Sequence, residues 1–220
     1  MPQLPPSDRF PPAEDADPEG LVGFGGELTP DWLLDAYCHG IFPWPITDFD
    51  APLAWWSPDP RAIIEFDRFH VSRRLQRTCR GSIFEVTRNV DFAGVIRGCA
   101  MSPGRLHQTW LTPEMIDAYI RLHELGFAHS VEVWHRHELA GGVYGVAIGG
   151  LFAAESKFFR VRDASKVALV HLISHLREQG FTLVDIQQVT PHTARFGALA
   201  IPRTEFLDRL GRAITLPVRF

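Results

Sequence analysis

The sequence predicts an α+β protein of two domains, with a small N-terminal domain at residues 21–57 and a larger C-terminal domain at residues 58–220, preceded by an arm at residues 1–20. Three observations carry this. The stretch Gly141–Gln188 reads as strand, loop, helix and strand. Regular alternation of strand and helix patterns begins only at Arg61. The residues ahead of it are dense in proline and tryptophan and fit no long element.

Residues 1–20 hold six prolines and several acids, which predicts an extended, poorly ordered arm. In GLVGFGGELTPDWLLDAYCHGIFPWP, Thr29 and Pro30 open a helix, Leu33, Leu34 and Tyr37 share one side, and Gly40 ends it. GFGG lacks the lysine and the preceding strand of a nucleotide loop, so no phosphate cradle is expected there. IFPWPITDFDAPLAWWSPDPRA has too little periodicity for a helix and too many prolines for a central strand, and reads as irregular.

From Arg61, AIIEF reads as a strand and FHVSRRLQRTCR as a helix. Arg73, Arg74, Arg77 and Arg80 lie three or four apart, most of them along one helix side, and no acid interrupts the run between Asp67 and Glu85. Such a run is either a solvated face or a docking site for phosphates. FEVTRNV is a strand and DFAGVIRGCA a short helix; the helix of TWLTPEMIDAYIRLHELG opens at Thr112 and Pro113 and closes at Gly126. SVEVWHRHELAGGVYGV gives two strands joined around residues 138–142.

Val143–Phe152 is expected as a strand buried on both faces, with Glu155 at or just past its end and ESKFFRVRD as a polar turn. Asp163 or Ser165 caps the next helix, Leu169, Leu172, Ile173 and Leu176 form its apolar stripe, and Gly180 closes it. FTLVDIQQV then alternates with period two, which puts Asp185 and Gln187 on one face. A carboxylate and an amide inside an apolar run need partners, in a structural network or a reaction centre. VTPHTARFGALAIPRTEFLDRLGR supplies a turn, a short helix and a last strand or helix.

Composition narrows the function. With 220 residues, 45% hydrophobic and 22% charged, the chain can bury a substantial core. No apolar run reaches the roughly 20 residues of a membrane helix, and the N-terminus has no secretory pattern. Cys38, Cys79 and Cys99 are odd in number and have no C-x-x-C spacing, which suits a reducing cytoplasm. A net charge of −4 disfavours bulk nucleic-acid binding but permits a local basic patch. His123-Glu124 and His137-Glu138 lack the second histidine of a zinc helix, and neither a G-x-S-x-G elbow nor a catalytic cysteine signature occurs. Neither a metal nor a cofactor is expected.

The order strand, loop, amphipathic helix, strand with a polar pair, short helix matches the core of the GNAT acyltransferase fold. Two functions suit it: an acetyltransferase using acyl-coenzyme A, or an aminoacyl transferase using charged tRNA. The first needs a glycine-rich loop that holds pyrophosphate at a helix N-terminus. FRVRDASK has no glycine and places an aspartate there, which favours the second.

Over roughly residues 20–210 the chain resembles the leucyl/phenylalanyl-tRNA–protein transferase family. The matching stretches include GFGGELTPDWLLDAYCHGIFPWP, WWSPDPRA, TWLTPEMIDAYIRLHELGFAHSVEVW, ELAGGVYGVAIGGLF, DASKVAL and DIQ…TPHTARFGA-x-x-IPR. The resemblance implies a GNAT-like C-terminal domain and a monomer. It implies transfer of Leu or Phe, and weakly Met, from Leu-tRNA or Phe-tRNA to proteins with N-terminal Arg or Lys, marking them for N-end rule degradation. By position it makes Asp185 and Gln187 the catalytic pair and Glu155 the acidic contact for the acceptor peptide. Tyr37, Trp44, Trp110 and Phe152 would surround the aminoacyl-adenosine, and Arg73, Arg77 and Arg80 would bind tRNA. The chain departs from the family at Ala154, Lys157, Phe159 and Arg195, and Lys157 sets a cation beside Glu155. Phe152 and Glu155 differ by an odd number, so both can line one site only if the strand bends or ends between them.

Overall fold

The computed structural model describes residues 5–46, 52–101 and 110–220. The N-terminal unit consists of β1 (Leu21–Phe24), α1 (Pro30–Cys38), β2 (Phe42–Pro43) and β3 (Ala54–Trp56). Its strands pair antiparallel in the order β1, β3, β2. α1 opens as predicted, with the Thr29 hydroxyl accepting the Trp32 N–H and Pro30 in the first turn. β2 and β3 lie in the segment expected to be irregular. Proline does not forbid them, because Pro43 ends an edge strand and β3 carries none.

Residues 5–20 are not a loose arm. Phe10 is buried, with its ring 5.3 Å from Trp32 and 4.8 Å from Trp55. Ser7 donates to Asp35, and Arg203 donates to the Glu14 carbonyl. One aromatic among the prolines gives the segment an anchor worth about 1.5–3 kcal/mol. Residues 1–4 of the expected arm lie outside the described residues.

The C-terminal unit runs β4 (Arg61–Ile64), α2 (Arg73–Arg80), β5 (Glu85–Arg88), α3 (Phe92–Ala100), α4 (Pro113–Glu124), β6 (Ala128–His135), β7 (Glu138–Ile148), β8 (Leu151–Phe159), α5 (Ala164–Gln179), β9 (Leu183–Gln187), α6 (Pro191–Ala194), β10 (Leu199–Ile201) and α7 (Arg203–Ala213). The sheet order is β10, β4, β9, β8, β7, β6, β5. Every neighbour is antiparallel except β8 and β9, which are parallel and joined through α5. This is an α+β, GNAT-like arrangement. Leu169, Leu172, Ile173 and Leu176 of α5 bury their stripe on one face of the sheet. Residues of α3, α4 and the N-terminal unit, among them Ile96, Leu122 and Leu33, pack together on the other. No helix of the described residues is long and apolar enough to cross a membrane.

Residues 143–152 are two strands rather than one. Gly149, at φ 53°, and Gly150 turn β7 into β8, and a Cβ on Gly149 would fall 2.4 Å from the Ile214 carbonyl oxygen. Ile-Gly-Gly-Leu is a hairpin signal hidden inside an apolar run. Glu155 therefore stands within β8, and most of the expected polar turn is strand. Asp163 takes φ 70° and its carboxylate makes no cap bond to α5; it binds Lys166 at 2.6 Å and Arg74 at 3.5 Å instead.

Candidate active site where two parallel strands part

β8 and β9 pair over only three positions, Leu151 with Leu183, Phe152 with Val184 and Ala153 with Asp185. Beyond Ala153 the strands separate around a cavity of about 550 Å³. Each strand carries an extra residue where it leaves its outer neighbour's register. Against β7, Tyr144 faces Ser156 and Gly145 faces Ala154, so Glu155 is the bulge residue. A Cβ on Gly145 would meet the Ala153 carbonyl oxygen at 2.2 Å, so only glycine fits opposite the bulge. Against β4, Ile63 faces Asp185 and Ala62 faces Gln187, so Ile186 is extra, and Gln187 takes φ 56°. The two bulges aim Glu155 and Gln187 at each other, with Gln187 Nε2 donating to Glu155 Oε1 at 2.9 Å.

Behind this pair lies a buried ionic clamp. Arg61 donates through Nε and Nη2 to the two oxygens of Asp185 at 2.8 and 2.7 Å. Its Nη1 donates to the Gly40 carbonyl at 2.9 Å. The guanidinium lies 4.8 Å from the Phe42 ring and 4.5 Å from the Phe206 ring. Asp185 also accepts the Gln187 backbone N–H at 3.0 Å. On the other side of Glu155, the Tyr119 hydroxyl donates to Oε2 at 3.4 Å, and the Tyr37 and Tyr119 hydroxyls are 2.6 Å apart. A continuous polar chain thus links Gly40, Arg61, Asp185, Gln187, Glu155, Tyr119 and Tyr37, and ties the N-terminal unit to the sheet.

Burial pushes the Glu155 carboxyl up to about 8; a hydrogen bond from Tyr37 opposes the rise, and the charge of Asp185 adds to it. Burial raises both tyrosine hydroxyls well above their usual value, with Glu155 adding to each, so they act as donors. The rest of the cavity is largely apolar. Ile64, Val143 and Leu169 are buried and form its floor. Trp44, Trp56 and Trp110 line it too, with the Trp44 and Trp110 rings stacked at 4.7 Å.

The family described as leucyl/phenylalanyl-tRNA protein transferase matches residues 63–211, and its N-terminal domain matches residues 26–59. A protein of that name from Anaeromyxobacter sp. (strain Fw109-5) is 51% identical over 98% of this chain and 91% of its own length. Another, from Nitratidesulfovibrio vulgaris (strain DP4), is 52% identical over 96% of this chain and 89% of its own. The chain belongs to the leucyl/phenylalanyl-tRNA–protein transferase family. It is an aminoacyltransferase. Among solved structures, a GCN5-related N-acetyltransferase from Kribbella flavida superposes with a TM-score of 0.41 at 12% identity, over 78% of this chain and 60% of that one. An aminoglycoside acetyltransferase from an uncultured soil metagenomic sample gives 0.40 at 11% identity, over 52% and 84%.

Of the residues that the transferase resemblance singled out, Glu155 and Gln187 meet in the cavity, and Trp44 and Trp110 line it. Asp185 stands behind Gln187, and Arg61 occupies both of its oxygens. Tyr37 reaches the site through its hydroxyl and does not line the cavity wall. Phe152 is not in the site. It does not line the cavity, and its ring packs beneath the floor near Phe181 and Phe220, in the same core cluster as Ile64, Val143 and Leu169. Arg73, Arg77 and Arg80 are exposed on α2, while Arg74 pairs with Asp163. Sequence reasoning missed Arg61 and Tyr119. The only signal for Arg61 was a cation heading an apolar strand, opposite a strand that carries a buried acid.

Proposed function

We propose that this transferase moves Leu or Phe, and weakly Met, from aminoacyl-tRNA to the α-amino group of proteins beginning with Arg or Lys, marking them for N-end rule degradation. The observation that carries the reading is the Glu155–Gln187 pair beside an apolar floor, at the point where β8 and β9 part. The start of α5 supports it, because Asp163 holds Lys166 and Arg74 where a coenzyme A pyrophosphate would need glycine N–H groups. The protein acts as a monomer in the cytoplasm.

The donor ester is already activated, so no covalent nucleophile is required. The amine nitrogen attacks the ester carbonyl, a C–N bond forms, and the C–O bond to the terminal ribose breaks. Orientation alone supplies about 7–11 kcal/mol of such a barrier. Gln187, with one N–H committed to Glu155, keeps its amide oxygen to accept from the amine. Glu155 takes the proton that nitrogen sheds and returns it to the ribose oxygen. Asp185 and Arg61 act through Gln187 as positioning residues. The donor side chain lies on Ile64, Val143 and Leu169, and the terminal adenosine lies against Trp44 and Trp110.

The purified protein should transfer radiolabelled Leu and Phe from tRNA to an Arg-started peptide. Ile and Val, branched beside the ester, should be slower donors by about 10–200-fold or more. Acetyl transfer from acetyl-coenzyme A with no transfer from tRNA would reverse the assignment. Equal rates for Leu and Ile would overturn the placement of the side chain.

Arg73, Arg77 and Arg80 take the tRNA phosphates in this reading. Changing all three to alanine should weaken tRNA binding and reduce its logarithmic salt slope by up to about 0.9 per lost contact. A minimal aminoacyl-adenosine donor is too short to reach them and should be used as before. Equal damage with both donors would assign these arginines to the fold.

A further inference from the structure

We propose that Phe220 determines donor specificity from behind the site: its ring supports Phe152 beneath the apolar floor and so fixes how deep a donor side chain can sink. This rests on the reading above that the side chain lies on Ile64, Val143 and Leu169. Val143 and Ala147 of β7 belong to the floor's core, while Tyr144 and Val146 belong to the core on the other face. Gly145 therefore leaves a gap on the floor's side of the sheet. The wholly buried Phe152 ring fills it, since a Cβ on Gly145 would meet Phe152 Cε1 at 2.5 Å and Cζ at 2.8 Å. The residue paired with Gly145 on β6 is His129. Phe220 bridges the two rings. It stacks on His129 at 4.4 Å and 18° and on Phe152 at 5.6 Å and 28°, with His175 of α5 edge-on at 4.7 Å.

The segment after α7 is held where it can do this. Leu216, Val218 and Phe220 are partly buried, while Thr215, Pro217 and Arg219 are exposed. The Ala213 carbonyl accepts the Gly150 N–H at 2.7 Å and the Leu216 N–H at 3.1 Å. A Cβ on Gly150 would sit 2.8 Å from Leu216 Cδ1, so the turn between β7 and β8 closes directly against the segment. Val218 and Phe220 then pack on the core that contains Ile64, Val143 and Leu169. A close-packed core that loses a ring relaxes in part into the space left behind. Here the group that relaxes is the support of the floor. Phe220 lines no part of the cavity, so it acts through shape alone.

The test measures kcat/KM for one tRNA charged with Leu, Phe or Trp, with the same Arg-started acceptor throughout. In Phe220→Ala the floor settles into the vacated space, and the Phe-over-Leu and Trp-over-Leu ratios should rise roughly 3- to 10-fold. Phe220→Leu keeps most of the apolar volume and should hold both ratios within about twofold of the wild type. The acceptor KM should stay the same in both variants. A loss of folded protein lowers all three donors by one factor and cannot move the ratios. Ratios unmoved by Phe220→Ala, or moved as far by Phe220→Leu, overturn the proposal and leave the transferase reading intact. A wild-type protein that transfers none of the three, or takes Ile as fast as Leu, fails that reading, and this proposal with it.

Discussion

Arg61→Ala should destabilise the protein by about 3–5 kcal/mol, because it strands the Asp185 carboxylate in a dry site. Both partners are almost wholly buried, at 1% and 2% side-chain exposure, so water cannot replace the lost guanidinium. The change also removes a donor to Gly40 and the packing between Phe42 and Phe206, which joins the two units. For a chain of this size, such a loss lowers Tm by roughly 6–20 °C. Activity should fall too, and a stability effect alone could explain that. The double variant Arg61→Met with Asp185→Leu separates the two contributions. An apolar pair in place of a buried ion pair is often neutral or stabilising, so most of the Tm should return. Activity should not return, because the Gln187 N–H loses its acceptor and the amide is no longer fixed against Glu155. Recovery of kcat along with Tm would show that the clamp serves folding only. A Tm unmoved by Arg61→Ala would show that Asp185 is not held as an ion.

The parts of the structure that the sequence made legible are those that local periodicity controls. The α5 stripe, the Thr-Pro helix openings of α1 and α4, and the existence of β9 follow from patterns within a few residues. The alternation expected of β9 breaks at Ile186, between Asp185 and Gln187. The site was legible only as a set of residue identities. Its geometry depends on two bulges, and a bulge shows in a sequence only when the partner strand's register is known. Arg61 and Asp185 lie 124 positions apart and meet because β4 lies beside β9, a neighbour relation that no local pattern encodes. Phe152 shows the opposite failure. Its likeness to an aromatic position in the family suggested a wall of the site, yet the ring is wholly buried among the core residues behind the cavity floor and does not line the cavity. The Gly149–Gly150 turn was legible but concealed, since apolar residues flank it on both sides.

Glu155→Gln should lower kcat by about 10²–10⁴-fold, as removal of a positioned proton acceptor commonly does. The pH profile separates this role from a purely steric one. Attack requires a neutral α-amine, whose pKa is about 8. In the mechanism above it also requires unprotonated Glu155, which burial holds up to about 8. Both conditions fail as pH falls, so on the acid side of neutrality log kcat/KM for the acceptor should rise with a slope approaching about two per pH unit. In Glu155→Gln only the amine titrates, and the slope should drop to about one. Stability should move the other way. The folded carboxyl keeps its proton from its ordinary value of 4.5 up to about 8, while the unfolded one releases it. Across that window the native state binds more protons, so rising pH lowers the stability of the wild type. Glutamine cannot ionise and escapes this loss, so the variant's Tm should gain on the wild type as pH rises from the acid range toward 8. A wild-type slope of about two that survives in the variant would remove Glu155 from proton transfer, whatever its effect on rate.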